Sequence, residues 1–219
     1  MLNLYQQADS KVTFVHSASK NKKHTCTSIC KYYISRKMSE NIMSVSKYHF
    51  KTGRYNINVG DNEGNMPLHT AVKEEKLDIV KSVLEYGCDV NSRNNNRETA
   101  LHLAAKRQKL NIMHTLLMEG ANPNLQDSQN NTPMQTFLLA CTDGQWAKQE
   151  DKSRILLMLK EMLTKGARSN LKNNQGRTAV HMAIRSGQQE VVEILMQDAI
   201  KAMKVNQGRC GTVFGCGAR

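Results

Sequence analysis

Proline, aromatic side chains and long apolar runs are all scarce in this sequence. Three prolines among 219 residues exclude a Pro-rich linker or a collagen-like chain. Aromatic residues make up 5% of the chain, against 39% hydrophobic residues overall. Leu and Ala supply much of that apolar content, a mix that suits helices better than a β-sandwich rich in aromatic and β-branched residues. No run of about 18 apolar residues is present, so no transmembrane helix is expected. The N-terminal stretch lacks the apolar segment of a secretory signal. Catalytic signatures are missing as well: the chain has no G-x-x-x-x-G-K-[ST], G-x-S-x-G, H-E-x-x-H or G-x-G-x-x-G. With no such constellation, neither an enzyme, a cofactor nor a small-molecule substrate is expected.

Cysteine is present but irregularly spaced, at Cys26, Cys30, Cys88, Cys141, Cys210 and Cys216. A disulfide scaffold is usually shorter and denser, so these read as reduced thiols of a cytoplasmic or nuclear protein. His24, Cys26 and Cys30 make a cluster of three where a structural zinc site needs four, and nothing in the sequence brings Cys210 or Cys216 to them. No metal is expected.

The net charge of +12 sits at the two ends. Residues 1–60 hold ten Lys and Arg and two acids, residues 201–219 hold four basic residues and no acid, and residues 61–200 hold seventeen of each sign. A nucleic-acid-binding domain needs a basic stripe on the fold itself. Association with nucleic acid or an anionic membrane would therefore be weak and confined to the tails.

What the sequence does contain is a repeat. Residues 61–72 (DNEGNMPLHTAV), 94–105 (NNNRETALHLAA), 127–138 (DSQNNTPMQTFL) and 173–184 (NNQGRTAVHMAI) align, with starts 33, 33 and 46 residues apart. A second apolar helix pattern follows in each: IVKSVLEYG from Ile79, IMHTLLMEG from Ile112, LMLKEMLTKG from Leu157 and VVEILM from Val191. The first three then enter the turns CDVN, ANPN and ARSN. Thr99, Thr132 and Thr178 stand where a helix N-cap is wanted, and their hydroxyls are suited to accept from an orphan N–H. Met66 replaces that Thr in the first repeat. Pro67 and Pro133 suit the first helical position, and Gly87, Gly120 and Gly166 the left-handed helix end. Leu68, Leu101, Met134 and Val180 serve as apolar anchors, and Ala71, Ala104 and Ala183 let helices approach.

This pattern resembles the ankyrin repeat, whose motif runs Thr-Pro-Leu-His-x-Ala at a period of 33 residues, over roughly residues 56–200. The resemblance implies an all-α ankyrin-repeat solenoid of stacked helix-turn-helix units with β-hairpin loops, stabilised by stacking of neighbours. The expected organisation is a basic, disordered tail (1–37), a degenerate capping half-repeat (38–60), repeats at 61–93, 94–126, 127–172 and 173–200, and a flexible basic tail (201–219). The third repeat carries an insertion at about 142–154, which contains Trp146. That Trp is either a partner anchor or a residue folded back on Leu138 or Leu139.

The recurring His69, His102 and His181 read as donors to neighbouring backbone rather than metal ligands, and Gln135 breaks their series. Asn58, Asn91, Asn124 and Asn170 read as loop-ordering residues. The resemblance also implies that Asn91, after Asp89 and Val90, is a possible β-hydroxylation site. Function is expected to be protein recognition by a monomer, as adaptor, scaffold or inhibitor, in the way ankyrin proteins use hairpin tips and first helices. The tips map to Asn62, Glu63, Arg93, Asn95, Asn96, Gln126, Ser128, Lys172 and Asn174, and the first-helix positions to Lys73, Glu74, Lys106, Arg107 and Arg185, with Trp146 added from the insertion. Leu139 and Ala140 interrupt an otherwise mostly basic groove, which favours an acidic protein surface or peptide. The alternatives are the tail-mediated association above, or an inhibitor resembling those of Rel-type transcription factors, although no acidic phospho-degron is visible.

Overall fold

The computed structural model describes residue 58, residues 60–141 and residues 149–209. The expectations for residues 1–37, for most of the 38–60 half-repeat, for Trp146 and for residues 210–219 lie outside them. Among the described residues there are eight helices and no strand. In chain order these are α1 (Pro67–Lys73), α2 (Leu77–Glu85), α3 (Ala100–Lys106), α4 (Leu110–Met118), α5 (Pro133–Ala140), α6 (Gln149–Thr164), α7 (Ala179–Arg185) and α8 (Gln189–Arg209). The chain divides into two compact units, Met1–Leu103 and Ala104–Arg219.

Each first helix is seven or eight residues long, too short to persist alone. Burial of one face holds it. In the first unit that face is Leu68, Ala71, Val72 and Leu101, each at most 1% exposed, with Val80 and Val83 of α2 below them. In the second unit Met134, Phe137 and Leu138 of α5, Met113 and Leu116 of α4, Leu159 and Met162 of α6 and Leu195 of α8 are fully or almost fully buried, with α7 packed on α5 and both α4 and α8 packed on α6. Ala71, Ala104 and Ala183 are buried as expected.

Caps follow the sequence closely. Thr132 Oγ1 accepts from the backbone N–H of Gln135 at 3.3 Å, and Thr99 Oγ1 from that of His102 at 3.4 Å. Thr178 has the extended N-cap backbone but its hydroxyl accepts no capping N–H; instead its own N–H donates to His181 Nδ1 at 3.2 Å. Met66 has the extended N-cap backbone but no side-chain cap, and the α1 start is held by its own N–H donating to His69 Nδ1 at 3.2 Å.

Two boundaries differ from the sequence reading. The insertion was expected to reach Arg154, but α6 begins at Gln149 and takes Gln149–Arg154 into the helix. Gln, Glu, Lys and Arg in that stretch are good helix formers, and no Gly or Pro interrupts them. The last helix was expected to end at 200, with a flexible tail after it, yet α8 continues to Arg209. The stretch from Lys201 to Gln207 holds no breaker, so the loss of the stacking pattern after residue 200 does not end the helix.

The hairpin loops are compact turns, each closed by an Asp or Asn at its first position. Asp61 Oδ1 accepts from the N–H groups of Glu63 (3.0 Å) and Asn65 (2.8 Å). Asp127 Oδ1 does the same for Gln129 and Asn131, and Asn173 Oδ1 for Gln175 and Arg177. Asn94 Oδ1 accepts from Glu98 N–H at 2.9 Å. The fourth residue of every turn is left-handed: Gly64 (φ 72°), Arg97 (58°), Asn130 (57°) and Gly176 (69°).

Two of those positions differ in what surrounds them. A Cβ on Gly64 would run into the backbone and side chain of Asn95, whereas a Cβ on Gly176 would meet nothing within 4 Å. Gly176→Ala is therefore expected to destabilise by about 1 kcal/mol from backbone strain alone. Gly64→Ala should cost distinctly more, because it also parts the two hairpins of the first unit. Urea denaturation of both variants measures the difference, and equal losses would contradict the hairpin contact.

Candidate functional site

In the first unit one hairpin reads the backbone of the other. The Asn95 N–H donates to the Glu63 carbonyl and its side-chain amide to the Asn62 carbonyl, both at 3.0 Å. Asn94 Nδ2 donates to Asn65 Oδ1 at 3.2 Å and to Glu98 Oε2 at 3.0 Å. Glu63 accepts from Asn65 Nδ2 (2.8 Å) and Lys73 Nζ (3.3 Å), and these two partners hold its carboxyl below the ordinary value of 4.5. As an exposed pair, Glu63 and Lys73 add little stability, but they tie the hairpin tip to the end of α1.

The second unit repeats the arrangement in the same register. The Asn174 N–H donates to the Gln129 carbonyl at 3.0 Å, and its side-chain amide to the Ser128 carbonyl at 3.3 Å. Asn130 Nδ2 donates to Asn174 Oδ1, and Asn173 Nδ2 to Asn131 Oδ1. Gln126 Nε2 bridges the carbonyls of Asn130 (2.7 Å) and Lys172 (3.1 Å). The other row of loops uses asparagine too. Asn58 Oδ1 accepts from the Asp89 N–H in the first unit. In the second, Asn124 accepts from the Arg168 N–H and donates to the Gly166 carbonyl. Asn91 is half-buried, with its N–H donating to Asp89 Oδ1 at 2.9 Å.

The recurring histidine is a backbone clamp. His69 is fully buried; Nδ1 accepts from the Met66 N–H and Nε2 lies 3.0 Å from the Glu98 carbonyl. A carbonyl only accepts and an amide N–H only donates, so the ring is the neutral Nε2–H tautomer. Burial pushes its pKa below the ordinary 6.5, outweighing the upward pull of the Glu98 carbonyl. Gln135 performs the same task with an amide. Its Oε1 accepts from the Thr132 N–H at 2.8 Å, and its Nε2 donates to the carbonyls of Leu171 (2.8 Å) and Arg177 (3.0 Å). The apparent break in the histidine series is thus a functional equivalent.

The first-helix ends point outward. In the first unit Glu74 is exposed and Lys73 half-buried; in the second Lys106, Arg107 and Arg185 are exposed. Leu139, in register with Lys106 and Arg185, is 38% exposed between them. Gln108 Nε2 donates to the Ala140 carbonyl at 2.6 Å, and α7 packs against α5, which places these helix ends side by side.

A family model described as ankyrin repeats (three copies) matches residues 15–127 and 126–208. The chain belongs to the ankyrin-repeat family. A search of curated proteins finds no significant match. Ankyrin repeats generally mediate protein–protein contacts, and the family is typically non-enzymatic. No helix among the described residues is long and apolar enough to cross a membrane.

As an ankyrin protein, the chain divides its expected contact residues into two kinds. Asn62, Asn95, Gln126, Ser128 and Asn174 take part, by side chain or carbonyl, in bonds that order the hairpins. Arg93, Asn96, Lys106, Arg107, Lys172 and Arg185 are exposed residues at the tips and first-helix ends. Sequence reasoning missed the left-handed positions at Arg97 and Asn130, because neither residue is a glycine. Burial pushes the thiols of Cys88 and Cys141 up to about 12, which makes them poor nucleophiles.

Because the folded chain keeps His69 neutral, the unfolded chain takes up a proton there first as pH falls. The stability this group contributes is complete above about pH 6.5 and declines below it. His69→Gln, the residue that the third repeat uses, should keep the clamp and flatten the loss of stability between pH 7 and pH 5. His69→Ala should cost on the order of 1–3 kcal/mol by stranding the Met66 N–H and Glu98 carbonyl. Urea titrations at both pH values test the pair, and an unchanged pH dependence in His69→Gln would remove the assignment.

Proposed function

We propose that this ankyrin protein is a non-enzymatic adaptor, scaffold or inhibitor that binds an acidic protein surface or peptide. The observation that carries this reading is in the second unit, where exposed Lys106 and Arg185 hold the same repeat position as the partly exposed Leu139, with exposed Arg107 next to Lys106 in the chain. An apolar side chain seated on Leu139 would find cations on both sides, so the ligand is an apolar residue flanked by carboxylates. Charge complementarity of this kind accelerates encounter and rejects basic competitors. In the first unit Arg93 and Asn96 are exposed tips, and Glu63 is exposed as well but paired with Lys73. Cys88 and Cys141 are free thiols, which supports a reducing compartment, the cytoplasm or the nucleus.

Affinity capture from lysate with the full-length chain, beside Lys106→Glu/Arg107→Glu, tests the reading. A protein retained by the first should be lost at least about tenfold by the second, and its retention should weaken as salt rises. Equal capture by both would sink the proposal. Loss of capture only on deletion of residues 1–37 would move binding to the basic tail.

A further inference from the structure

The last helix pair leaves exposed what the other repeats bury. Counting back 46 residues, Val180 and Ile184 of α7 stand in register with Met134 and Leu138 of α5. Met134 and Leu138 are 0% and 1% exposed. Ile184 is 61% exposed, and Val180 is only half-buried. The same holds on α8. Val192 corresponds to Leu159, which is fully buried, yet Val192 is not. Met196 is 48% exposed and Ile200, one turn on, 49%. Within this unit α7 itself covers α5, and among the described residues no further helix pair covers α7 and α8. The face nevertheless carries two apolar rows at i, i+4 spacing, a pattern suited to burial rather than to water.

We infer that this face is a self-association surface, on which a second copy of the chain docks end to end about a two-fold axis. Two features point to a second copy rather than another partner. The first is charge. α7 and α8 are joined by the short turn Ser186–Gln188, so they run antiparallel, and the end of α7 lies beside the start of α8. Arg185 follows Ile184 and Glu193 follows Val192 in the chain, and both are exposed. A two-fold axis along the helices lays α7 of one copy on α8 of the second. It sets Arg185 against Glu193 of the second copy, and does so twice, as an isologous contact requires. The second feature is the apolar pattern: Val180 and Ile184 on α7 and Val192, Met196 and Ile200 on α8 form two rows, which such an axis lays one on the other. Such a contact would make the chain a weak, concentration-dependent dimer where a monomer was expected from the sequence.

Sedimentation equilibrium of the full-length chain between about 1 and 200 µM tests this, at the low-affinity end of protein interfaces. The native chain should pass from monomer to dimer. Ile184→Glu and Met196→Glu should each raise the dissociation constant at least about tenfold, since each buries a charge in the contact. Met118→Glu, at a residue 58% exposed elsewhere on the same unit, should leave dimerisation unchanged. Arg185→Glu should weaken the dimer, and Arg185→Glu/Glu193→Arg should restore it, an exchange that only direct opposition of the two residues explains. Helix content by circular dichroism confirms that each variant is folded. A chain that stays monomeric throughout, or a dimer indifferent to Ile184→Glu, overturns the inference. Lys106→Glu/Arg107→Glu should leave the dimer intact, so this surface stands or falls separately from ligand capture.

Discussion

In each unit a single side-chain nitrogen joins one helix pair to the backbone of the next, and the remaining order follows from that contact. His69 supplies it in the first unit and Gln135 in the second. In each case the same side chain turns its other polar atom onto its own helix start, at the N–H of Met66 or Thr132. One residue therefore satisfies an orphan donor at a helix N-terminus and fixes the neighbouring hairpin. Because the group is buried, losing either bond would leave a polar atom dry. Correct stacking is thus specified by polar geometry as well as by apolar area, which alone tolerates sliding.

The hairpins extend the same logic outward. Asp61, Asp127 and Asn173 close their own turns, and Asn95 and Asn174 read the carbonyls of the preceding turn. Tips tied in this way lose little freedom on meeting a ligand, which favours affinity. The same bonds occupy the amides of Asn95 and Asn174, which is why the proposed recognition is assigned to the longer cations at the tips and first-helix ends.

Much of this was legible in the residues. The thirty-three-residue register, the Thr and Pro helix starts and the Gly helix ends all follow local rules, because each answers to a backbone requirement within one repeat. Gln135 was harder. Its equivalence to histidine lies in the spacing of one acceptor and one donor, which residue type conceals. Arg97 adopts a left-handed backbone that its turn imposes against its own preference, while Asn130 is of a type that tolerates it without being the usual glycine. The extension of α8 to Arg209 and the start of α6 at Gln149 were missed for a shared reason: helix propensity continues where the stacking pattern stops. Exposure at Ile184 is legible only in three dimensions, since its sequence pattern matches those of buried positions.

The connection between α5 and α6 has a separate consequence. In the three other repeats a left-handed residue follows the first helix, Glu75 at φ 58°, Gln108 at 54° and Gly187 at 67°, while Cys141, in the same register, has an ordinary right-handed φ of −81°. Cys141 does not begin the reversal that its counterparts make, yet Asn173 still finds Asn131 and α7 still meets α5. Phase between repeats is therefore kept by the hairpin edge and not by this edge. Lengthening a flexible connection costs only about 0.6 kcal/mol per doubling. This is a point in the chain where residues could be added or removed, or a reporter grafted, with the packing of α7 on α5 kept.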